Sequence, residues 1–195
     1  MKKLIIPLLL LAGTYISACN GNNETNESTA STDSVSSSSA IDTSNNNAGT
    51  VMVDEKVMDF AKDAATGGMM EVELGNLAQQ KAKSQKVKDF GKMMVDDHTK
   101  LNNEFKDIAS KKSIDLPATV TDGQKKEIDD LSKKSGADFD KAYVDMMIDD
   151  HKKDIDAFKK AEGDVSDNDV KNFITNSLPT LQKHLDAIEA IKSNK

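Results

Sequence analysis

Residues 86–108 read KVKDFGKMMVDDHTKLNNEFKDI. Their apolar members, Val87, Phe90, Met94, Leu101, Phe105 and Ile108, fall at the spacing that lines one face of an α-helix and that a strand cannot present. One polar residue, His98, interrupts that stripe. The same pattern returns from residue 143, where Tyr143, Met147, Ile155 and Phe158 make a stripe interrupted by His151. The two segments are near-copies: Met93-Met94-Val95-Asp96-Asp97-His98 stands against Met146-Met147-Ile148-Asp149-Asp150-His151, with Phe90 matched to Tyr143 and Phe105 to Phe158. Two helices therefore carry one set of chemical groups.

Outward from these, a helix from about Asp54 to Lys83 is predicted, with Phe60, Ala64, Gly67 or Gly68, Leu74, Ala78 and Ala82 facing inward and Glu71 as the carboxylate in the seam. Ser84 reads as the N-cap of the next helix. Ser166 with Asp169 reads as the cap of a last helix, whose stripe is Val170, Phe173, Ser177, Leu181, His184 or Leu185, Ile188 and Ile191. Between the repeated helices lie Leu116-Pro117, a short helix with Ile128 and Leu131, and the break Ser135-Gly136. No segment alternates like a strand. The expected fold is all-α, an up-down four-helix bundle whose long connection between the second and third main helices contains a short extra helix. That connection is long enough to cross the bundle and set the two repeated helices parallel. Counting from the turn at Ser84 then puts Glu71 and His98 level to within about 3 Å. The same count leaves His151 and His184 roughly 9 Å out of register, with Pro179 near the level position.

The N-terminal quarter has a different composition. Lys2 and Lys3, the apolar run Leu4 to Ala12, and Ile16-Ser17-Ala18 before Cys19 have the layout of an export signal over residues 1–18, too short in its apolar part to span a bilayer. Ile-Ser-Ala-Cys resembles the bacterial lipobox, in which the cysteine is lipidated, and Cys19 is the sole cysteine of the chain. Residues 19–50 are dominated by Ser, Asn and Thr, too polar to bury a core, and read as a lipidated cysteine with a flexible tether of roughly 30 Å. The bundle is then residues 51–195. With Asn20 rather than Asp after the cysteine, the expected location is the cell envelope, lipid-anchored in the outer membrane and facing the periplasm.

Composition removes several functions. The net charge is −7 and all 26 basic residues are lysine, so neither a phosphate-clamping arginine nor a basic nucleic-acid surface is available. One cysteine excludes an internal disulfide framework and a thiolate zinc cluster. Nucleophile-elbow, glycine-rich phosphate-loop and HExxH patterns are absent, so neither a nucleotide enzyme nor a hydrolase is indicated.

Glu71-Val-Glu-Leu-Gly with Leu77-Ala78, Phe90 through Asp97-His98, Phe139-Asp140 with Tyr143, Asp150-His151, and Leu178-Pro179 with His184-Leu185 together resemble the bacterial family named domain of unknown function 4142. The resemblance covers about residues 54 to 192. It implies an outer-membrane protein with a ferritin-like bundle and brings no activity with it. Ferritin's Glu-x-x-His signature is missing, since Val95 and Ile148 stand three residues before the two histidines.

Imidazole with carboxylate suits a transition metal: iron, manganese, zinc or copper. The candidate ligands are Glu71, His98, His151 and His184, with Asp97 and Asp150 as ligands or as partners behind them. The methionine pairs 69–70, 93–94 and 146–147 add a copper variant, although methionine also serves as core filler. The leading function is metal storage, sequestration or stress protection. The alternatives are a metal-free structural or interaction lipoprotein that touches another envelope protein, and a metal-dependent oxidase.

Overall fold

A computed structural model describes residues 54–193. The export signal, Cys19 and the tether lie outside the described residues. The described part is all-helical: α1 (Glu55–Lys81), α2 (Gln85–Lys111), α3 (Asp122–Ser132), α4 (Gly136–Asp164) and α5 (Asn168–Ser193). Among the described residues no helix is long and apolar enough to cross a membrane.

Local chemistry sets the helix ends. The Asp54 carboxylate accepts from Lys56 N at 3.1 Å and starts α1. Thr121 and Gln124 close a reciprocal capping box on α3. Ser84 stands at the cap position of α2 as expected, but its side chain makes no cap bond. Its backbone N–H instead joins that of Lys83 on the buried Asp140 carboxylate, each at 2.9 Å. The cap of α5 is Asp167, whose Oδ1 accepts from Asp169 N and Val170 N, and not Ser166, whose hydroxyl turns to Asp54. A carboxylate is the stronger acceptor for two converging N–H groups.

The same contacts define the path of the chain. Asp140, in the first turns of α4, holds the α1–α2 turn, and Ala82 pairs with Gly136, which takes φ +60. At the other end Lys112 Nζ, just past α2, meets Asp167 and Asp169 beside the α4–α5 turn, each at 2.7 Å. Thus α2 and α4 both start at one end and run to the other, and the segment containing α3 carries the chain back between them. Helices α1 and α2 meet closely because Gly75 and Gly91 face each other. A Cβ on either would come within 2.7 Å of the opposing backbone oxygen.

Two apolar clusters fill the interior. One gathers Leu74, Met94, Phe139, Tyr143, Met147 and Ile188; the other gathers Phe60, Phe105, Val170, Phe173 and Ile174. Along α1 and α2, Glu71 and His98 fall where one cluster gives way to the other. Met94 and Met147 pack in the first cluster as core residues.

Candidate metal centre

Each main helix sends one polar side chain into this layer: Glu71 from α1, His98 from α2, His151 from α4 and His184 from α5. All four are at most 5% exposed, so every polar atom among them must find a partner or carry a desolvation cost. One ring nitrogen from each of the three histidines lies within 4.8 Å of those of the other two.

The far side of each ring is occupied. His98 Nδ1 lies 2.9 Å from Glu71 Oε2, His184 Nε2 lies 2.9 Å from Asp97 Oδ2, and His151 Nδ1 donates to the Met147 carbonyl at 2.9 Å. That leaves His98 Nε2, His184 Nδ1 and His151 Nε2 on the near sides. The first two are 3.3 Å apart, and the third has no hydrogen-bond partner. Two ligands of a tetrahedral ion with bonds of 2.0–2.1 Å stand about 3.3 Å from each other. Metal-bound histidines characteristically donate their second nitrogen to a carboxylate or carbonyl, which is the pattern here on all three rings.

Two proton arrangements of the Glu71–His98–His184 line both leave His151 unsatisfied. With Glu71 protonated, its O–H donates to His98 Nδ1, His98 Nε2–H to His184 Nδ1, and His184 Nε2–H to Asp97. With Glu71 ionised, His98 donates from Nδ1, and the lone pairs of His98 and His184 face each other across 3.3 Å. In both arrangements the imidazole of His151 keeps a bare Nε2, 3.6 Å from the equally unpartnered Oε1 of Glu71. A cation would satisfy the pair of atoms that both of these arrangements leave bare.

Burial favours the ligand form of the rings. It holds His98 and His184 down to about 4 and lowers His151, so all three are neutral near pH 7. Burial also pushes the Glu71 carboxyl up, His151 opposing and Asp150 adding to the effect. Asp97 stays ionised: burial would raise it, but the hydrogen bonds from His184 and Lys183 outweigh that and lower it.

Glu71, His98 and His151 come together as expected. His184 joins them, correcting the expected offset of roughly 9 Å. The expected offset is counted from a helix end near Glu162 and a start near Asp167; α4 in fact runs on to Asp164 and α5 starts at Asn168, which halves the mismatch in register, and the imidazoles span the rest. Asp150, although matched to Asp97 in the repeat, is not part of the centre. It meets Lys153 at 3.6 Å and no histidine. Asp154 is a group that the stripe missed. One turn beyond His151, it is held up to about 8 by burial, then by the charges of Glu71 and Asp150. A carboxylate three residues after a seam histidine was the available signal.

An all-helical bundle with three buried, converging histidines defines the class: a helical protein with a candidate transition-metal centre. The chain belongs to the family described as domain of unknown function (DUF4142), whose model matches residues 42–191 and so begins inside the segment read as tether. Comparison with curated proteins and with solved structures gives no match.

Proposed function

We propose that this protein is a lipid-anchored component of the bacterial cell envelope, attached to the outer membrane through Cys19, and that its domain is a ferritin-like four-helix bundle holding a transition metal on His98, His151 and His184. The observation that carries the metal reading is the bare Nε2 of fully buried His151, aimed into a layer where two other imidazoles already converge. Glu71 Oε1 is placed to act as a fourth donor. Three neutral imidazoles and a carboxylate suit zinc, copper, iron or manganese, and the burial of the whole set suits retention more than turnover. Storage, sequestration or protection from metal stress follows.

The test is elemental analysis of protein prepared without chelator and without a polyhistidine tag. About one equivalent of a transition ion, lost in the His98→Ala/His151→Ala variant, supports the proposal. A metal-free wild type that takes up none on exposure refutes it. For the anchor, Cys19→Ala should release the protein into the soluble fraction, and unchanged membrane association would contradict lipidation.

A further inference from the structure

A cleft of about 270 Å³ opens between α1 and α4 and reaches the polar layer. Small residues line both walls: Ala64 and Gly67 on α1, Ala157 and Ala161 on α4. A Cβ added at Gly67 would meet nothing within 4 Å. Exposure falls along the lining, from Asp59, Asp63 and Asp164 in solvent, through half-buried Asp154, to buried Glu71 and His98. Two cations, Lys56 and Lys160, share the rim, and Lys160 is tied to Asp164 at 2.8 Å. Among the described residues no hydrogen bond or ion pair reaches the Asp154 carboxylate, and the Glu71 oxygen without a partner belongs to a residue of the floor. The α2–α5 side of the layer, in contrast, is bridged by Asp97 with His184 and Lys183.

We propose that this cleft is the route by which a hydrated divalent cation enters and leaves the three-histidine centre, with Asp154 and Glu71 Oε1 as the oxygen donors that replace its water in turn. The inference rests on the metal reading above. A hydrated ion sheds water stepwise, and a carboxylate midway lowers the cost of each exchange before nitrogen takes over. Acidic groups in a confined cleft also raise the local cation concentration.

The experiment is stopped-flow mixing of the full mature chain with Co²⁺, followed by its visible absorption, and release of Co²⁺ to a chelator. Gly67→Phe and Ala157→Phe fill the cleft from opposite walls. Each is expected to slow uptake and release together by about tenfold or more while leaving Kd within about twofold, because a blocked route changes rates and not the end states. Asp154→Asn, which removes the oxygen donor midway along the route, should slow uptake. Asn76→Phe, exposed on α1 outside the cleft, should change nothing. Cleft-filling variants that keep wild-type helicity and take up Co²⁺ at the wild-type rate would overturn the route and leave the centre standing. A wild type that takes up no Co²⁺ and no other transition ion would overturn the centre, and the route with it.

Discussion

Replacing Asp97 with Ala separates a metal centre from a buried polar layer of purely structural character. The Asp97 carboxylate accepts from His184 Nε2 at 2.9 Å and so directs the His184 Nδ1 lone pair toward His98. Removing such a partner from a ligating imidazole costs 10- to 100-fold in metal affinity, or about 1.4–2.7 kcal/mol. The metal-free fold should lose less, within about 1 kcal/mol, because the Asp97 side chain is 31% exposed and water can replace it. The repeat supplies a matched control. Asp150 holds the same place in the same motif but pairs with Lys153, at 3.6 Å, and with no histidine among the described residues, so Asp150→Ala should cost clearly less affinity than Asp97→Ala. The assay is competition for Zn²⁺ against a chromogenic chelator, with chemical unfolding in EDTA measured in parallel. Equal losses for the two variants, or an Asp97→Ala loss mirrored in full by the metal-free stability, would refute the reasoning.

Asp140→Ala strips the acceptor from two backbone N–H groups at the α1–α2 turn and should destabilise the domain by about 2–4 kcal/mol in urea unfolding; a loss below about 1 kcal/mol would contradict that role. Phe105→Ala, at a site 2% exposed beside Phe60 and Phe173, should cost about 3–5 kcal/mol, and a near-neutral result would mean that the second apolar cluster is misassigned. In EDTA, Glu71→Gln should gain stability relative to wild type as pH rises. An acid whose folded pKa is raised stabilises fully below its unfolded value near 4.5 and loses that contribution as pH climbs through about 7, whereas glutamine does not titrate. Thermal midpoints of the two proteins from pH 4.5 to 8 check the sign, and a constant gap would contradict it.

Much of this architecture was legible because a helix converts sequence spacing linearly into position. The stripes in α2 and α4 placed His98 and His151 inward, and a short turn made the level of Glu71 and His98 a matter of counting. His184 was not legible in the same way: misplacing the α4 end and the α5 start by a few residues in total shifted its level by about half a turn or more. The difference between Asp97 and Asp150 could not be read at all. Both lie about 100° round the helix from their histidines, and only the neighbour across the interface decides whether another histidine waits there. The closeness of α1 and α2 depends on Gly75 facing Gly91, a pairing invisible until two helices are docked. At the α5 terminus Ser166 and Asp167 are both of a residue type that caps helices; Asp167 takes the two N–H groups, while the Ser166 hydroxyl turns to Asp54 on another helix end, a neighbour that sequence does not show.

The most direct measurement is a thermal-unfolding series of wild type, His98→Ala, His151→Ala and the double variant, in EDTA and then with copper, zinc, iron or manganese. A ligand bound only by the native state raises its stability by mass action. If the histidines share one ion, at least one metal should raise the wild-type midpoint and neither single variant should respond. The metal-dependent losses of the two single variants and the double variant should then be nearly equal, a strongly non-additive result. Losses that add, with a wild-type midpoint indifferent to all four metals, would contradict a metal centre in this bundle.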